Sequence, residues 1–111
     1  MRAAFIIALI AAAMLSASAL AAAPAVKHAK VDDLGFAFTP GTLKIKRDTK
    51  VTWKWVDLGG VSHNIAVFKG PSKFHSGLKS SGTFTHLFLK PGKYTLYCTI
   101  HPTMRETVIV K

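Results

Sequence analysis

From residue 42 onward, apolar and polar positions alternate within short runs, and each run stops at a turn signal. Val51, Trp53 and Trp55 alternate with Thr52 and Lys54, and Tyr94, Leu96 and Cys98 alternate with Thr95 and Tyr97. Successive side chains of a strand point to opposite faces, so this period predicts half-buried β-strands. Residues 42–46, 64–68, 83–89 and 106–110, rich in β-branched and aromatic side chains, read as further strands. Pro40-Gly41, Gly59-Gly60, Gly70-Pro71, Gly82 and Pro91-Gly92 mark the turns between them. Many short strands at this spacing predict one all-β domain, a sandwich or a barrel. The parity assigns Val51, Trp53 and Trp55 to the core and turns Cys98 inward with Leu96 and Tyr94. His86, between Phe84 and Phe88, falls on an inward face as a structural histidine, whereas His28 and His75 are expected at the surface.

The first 34 residues follow another pattern. Arg2 precedes an uncharged, Ala-rich apolar stretch, and Ala19-Leu20-Ala21 forms an A-x-A cleavage site. Residues 1–21 are therefore expected to be a signal peptide, 22–34 a short N-terminal lead and 35–111 the folded domain. The product is expected in the periplasm or outside the cell, touching a membrane only if the N-terminus stays uncleaved. The 111 residues carry a formal charge of +10, and loss of Arg2 leaves 14 basic against 5 acidic residues, or +9. An exported basic protein is not expected to meet nucleic acid. Acidic proteins, anionic lipid headgroups and cell-wall polyanions are the partners that such a charge favours.

Chemistry concentrates in one segment. The chain has a single cysteine, and it opens Cys98-Thr99-Ile100-His101-Pro102-Thr103-Met104. Met1 and Met14 leave with the signal peptide, so the sole cysteine and the sole remaining methionine share one loop with a histidine. A lone cysteine in an exported chain makes no internal disulfide and must be a free thiol, an intermolecular partner or a metal ligand. Thiolate and thioether are soft donors that suit copper, imidazole suits it too, and a trigonal His/His/Cys set with a weak Met completes a blue-copper site. The second imidazole must come from elsewhere, and Ser62-His63-Asn64 supplies it. Zinc fits less well because it seldom takes a thioether.

These residues resemble a known family. Phe36-Ala37-Phe38-Thr39-Pro40, Val51-Thr52-Trp53, Ser62-His63-Asn64, Ser81-Gly82-Thr83-Phe84, Lys90-Pro91-Gly92-Lys93-Tyr94 and the cysteine segment are similar to the cupredoxins, nearest their plastocyanin/azurin group. The Cys-x2-His-x2-Met spacing is similar to the amicyanin loop. The resemblance implies a Greek-key β-sandwich binding one copper ion that cycles between Cu(II) and Cu(I). It implies His63, Cys98 and His101 as equatorial ligands, Met104 as the axial one, and the Asn64 amide as a donor to the cysteine sulfur. It also implies His101 as the partly exposed edge through which electrons leave. Trp55 departs from the family pattern, standing where many relatives have asparagine.

Three functions compete. The first is a monomeric one-electron carrier between redox partners with acidic docking surfaces. The second is a copper carrier or buffer, against which the single mature methionine and the lack of a His-x-His pair count. The third is an enzyme, not expected here, because oxidase or nitrite-reductase chemistry needs a further copper with open coordination.

Overall fold

A computed structural model describes residues 23–111, so the expected signal peptide lies outside the described residues. Eight strands follow one another: β1 (Ala25–Asp32), β2 (Ala37–Thr39), β3 (Thr42–Ile45), β4 (Thr49–Val56), β5 (Ala66–Lys69), β6 (Thr83–Phe88), β7 (Gly92–Cys98) and β8 (His101–Val110). They form two four-stranded sheets, ordered β2-β1-β4-β6 and β3-β8-β7-β5. The chain crosses between the sheets repeatedly, giving the expected Greek-key β-sandwich. Each sheet is mixed, β1 running parallel to β4 and β3 parallel to β8.

Alternation places the core as expected. Val51, Trp53 and Trp55 of β4 meet Tyr94, Leu96 and Cys98 of β7 and Met104, Val108 and Val110 of β8, all buried. Trp53 packs among Phe74, Phe84 and Phe88 with ring centroids 6.1–6.4 Å apart. His86 is half-buried and stacks on Phe74 at 3.6 Å, and burial lowers its pKa from the ordinary histidine value. It is a packing residue, while His28 and His75 are exposed.

Two expectations are corrected. Residues 25–32 are not a lead but β1, paired with β4 along its length from Ala25↔Thr49 to Asp32↔Val56. The domain boundary expected at residue 35 therefore moves back to include this strand. Its sequence is rich in Ala, Lys and Asp, which disfavour strands, and pairing with a committed neighbour overrides that preference. Only Ala29 and Val31 turn inward. We expect Val31→Ala to cost about 2 kcal/mol in denaturant unfolding, and Val26→Ala, half-exposed on the same strand, to cost nearly nothing. Equal losses would mean that β1 adds no packing. The second correction concerns β8, which begins at His101 rather than at residue 106. The expected loop of residues 99–105 becomes a two-residue turn, Thr99 and Ile100, closed by the Cys98↔His101 pair, and then residues 102–104 bulge out of the register before pairing resumes at Arg105.

Candidate metal centre

One end of the sandwich gathers the β1–β2 turn, the loop after β4 and the β7–β8 hairpin. Cys98, the last residue of β7, inherits the inward face of Tyr94 and Leu96 and is fully buried. A bulge between Tyr97 and Cys98 shifts the register so that Cys98 stands opposite His101. Bulges re-aim side chains in this way. The His101 Nδ1 lies 3.6 Å from the Cys98 Sγ. His63 precedes β5 and is held by a two-way backbone bridge to Lys79, both bonds 2.9 Å. Its ring is fully buried, and its Nδ1 lies 3.1 Å from the His101 Nδ1.

The Nε2–H of His63 donates to the Asp33 carbonyl at 2.9 Å. That bond fixes the tautomer and leaves the Nδ1 lone pair facing His101 and Cys98. The Asn64 N–H donates to the Cys98 sulfur at 3.4 Å, as the family resemblance implied. The Asn64 Oδ1 accepts from the Thr99 N–H (2.8 Å) and Oγ1–H (3.1 Å), tying the His63 segment to the ligand turn. His63, Cys98 and His101 thus offer donor atoms all within 4.8 Å of one another. Met104 sits on the inward face of β8, 3% exposed, in the buried cluster that contains Cys98. One soft anion-forming sulfur, two oriented imidazoles and a buried thioether in one β-sandwich fit a single copper ion.

Two residues at this end went unassigned in the sequence. Asp33 is fully buried: its Oδ2 accepts from the N–H groups of Gly59 (2.9 Å) and Val61 (3.1 Å), and its Oδ1 stands 3.4 Å from the His63 Nε2. Phe36 adopts φ 52°, rare for an aromatic residue, and sets its ring edge-on to His63 (5.1 Å) and His101 (4.6 Å). The strain of that turn is set against the packing it gives both imidazoles. Asp33 belonged to a stretch that read as a lead, and no residue pattern announces a positive φ at Phe36.

The Cupredoxin-like domain family model matches residues 5–110. This chain belongs to the cupredoxin-like family. It is 36% identical over 110 residues to amicyanin-alpha of Methylorubrum extorquens AM1, covering 89% of this chain and 87% of that protein. A purple cupredoxin of Nitrosopumilus maritimus superposes with TM-score 0.66 and 27% identity, covering 76% of this chain and 98% of that one. A copper-containing nitrite reductase of Thermus scotoductus SA-01 superposes with TM-score 0.69 and 24% identity over 92% of this chain. This cupredoxin spans only 25% of the reductase, so that likeness is one of fold.

Proposed function

We propose that this cupredoxin is an exported type 1 copper protein that carries single electrons between redox partners, working as a monomer without catalysing a reaction of its own. His63, Cys98, His101 and Met104 would hold the ion. When bound, copper supplies a one-electron couple between Cu(II) and Cu(I). The observation that carries the reading is the convergence of three donors held by backbone and side-chain contacts: His63 by Asp33 and Lys79, Cys98 by the register shift and the Asn64 amide, His101 by its pairing with Cys98 at the start of β8. A donor set locked by its own hydrogen bonds rearranges little when charge changes, and little rearrangement means a low barrier to transfer.

His101 is the half-buried member, and the exposed apolar side chains Leu34, Phe36, Leu58 and Ile100 belong to the turns at that end. Partner contact at this end is therefore apolar at close range. The copper-buffer reading is less well supported, because a buried, hydrogen-bonded sulfur favours retention in both oxidation states over release.

The test is a visible spectrum of the Cu(II)-loaded, processed protein. We expect an intense band near roughly 600 nm from cysteine-to-copper charge transfer, and its complete loss in Cys98→Ser. A faint spectrum of nitrogen and oxygen ligation in the wild type would remove Cys98 from the ligand set and turn the reading toward the buffer.

A further inference from the structure

The positive charge of this cupredoxin is not evenly spread. At the end of the sandwich away from His101, β3 carries Lys44 and the turn after it Lys46 and Arg47, the β6–β7 turn holds Lys90 with Lys93 just beyond it, and β8 runs out into Lys111. Lys27 and Lys50, near the starts of the parallel pair β1 and β4, join them. All eight are exposed, and Asp48 is the single acidic residue among them. The rest of the described chain carries six basic side chains against four acidic ones. The topology produces this asymmetry, because β1, β4 and the ends of β3 and β8 bring their basic residues to one pole.

A groove of about 880 Å³ opens at that pole, lined by Lys27, Lys44, Lys46, Arg47 and Lys111, by the one acid Asp48, and by apolar Ile45, Leu87 and the segment 23–25. Val26 (49% exposed) and Leu89 (58%) stand on the strand ends nearby. Flexible ammonium groups around protruding apolar side chains suit the boundary of a bilayer, where apolar groups enter the headgroup region and lysines reach phosphates. The cations come from several separate strands and turns, with only Asp48 among them available for reciprocal pairing. That arrangement matches a continuous anionic plane better than the mixed, mutually paired charges of a protein surface.

We propose that the protein docks on an anionic phospholipid surface through this pole, leaving the His101 end turned outward to meet its partner. Field and geometry act together, because the pole excess orients the whole domain before contact. The docking does not rest on the electron-carrier reading, since it uses no residue of the metal centre.

The test is co-sedimentation of the processed protein with phosphatidylcholine vesicles containing about one-third phosphatidylglycerol, against pure phosphatidylcholine, at low and physiological salt. We expect binding to the anionic vesicles only, weakening as salt rises. K44Q/K46Q/R47Q should bind roughly 100-fold more weakly, while K30Q/K54Q/K69Q, which removes the same charge elsewhere, should lose less than about threefold. Both variants share the wild-type N-terminus, so any retained leader cancels in the comparison, and wild-type unfolding midpoints would show that each is folded. Equal losses would reduce the effect to net charge and overturn the proposal. So would binding to neutral vesicles alone, or no binding to either, the result expected if an acidic protein is the true occupant.

Discussion

Asp33→Asn is expected to raise the reduction potential of the bound copper on the order of 80 mV while the blue band persists. The Asp33 Oδ1 stands 3.4 Å from the His63 Nε2, with no hydrogen-bond partner among the described residues. A carboxylate so placed favours the more positive metal state. One charge an imidazole's width from the metal, at an effective dielectric near 20, is worth roughly 2 kcal/mol, which converts to that potential for one electron. Asparagine keeps an oxygen to accept from the Gly59 and Val61 N–H groups, so the loop stays anchored. The backbone carbonyl that orients His63 is unchanged. Asp33→Ala removes the loop anchor as well, and we expect it to cost about 2 kcal/mol of stability on top of the potential shift. Cyclic voltammetry with equilibrium unfolding separates the two roles. A potential that stays put in Asp33→Asn would leave the carboxylate with only its structural bonds.

The ligands were readable in the sequence because their chemistry is scarce. One cysteine and one mature methionine cannot be confused with background, and the two-residue gaps around His101 confine all three donors to one end of the fold. The strands around them were readable because Val51, Trp53 and Trp55, or Tyr94, Leu96 and Cys98, alternate with polar neighbours. What escaped was whatever depends on a neighbour. Residues 25–32 are too polar to declare a strand and become one only beside β4. Asp33 acquires its place from that misread strand. The start of β8 at His101 was hidden by Pro102, which reads as loop and stands in the stretch after His101 that has no partner in the register with β7. The basic pole could not be seen either: lysines scattered from residue 27 to residue 111 come together only when the strand directions are known.

The buried carboxyl group of Glu106 should make the copper-free protein less stable as pH rises from about 4.5 to about 7. Glu106 is 2% exposed, and burial pushes its pKa from 4.5 up to about 7, against the opposing pull of a 2.8 Å bond from the Trp53 Nε1–H. Its other oxygen has no partner among the described residues. The folded state therefore holds a proton that the unfolded chain has already released. Where the folded state binds more protons, stability falls with pH. The contribution is fully present below pH 4.5 and is lost as pH passes through about 7, with a total change of roughly 3 kcal/mol. Urea unfolding of apo-protein at pH 4.5, 6 and 7.5 would trace it, and copper is left out because ligand protonation adds its own dependence. Glu106→Gln keeps an acceptor for Trp53 and cannot ionise, so its curve should lose this slope and cross the wild type's. Trp53→Phe tests the same pair from the other side. With no donor to favour the carboxylate, the Glu106 pKa should climb further and the fall should extend to higher pH. Parallel pH profiles for wild type and Glu106→Gln would mean that water reaches this carboxyl group. A core proton held two residues from Met104 would then play no part in the stability of the metal end.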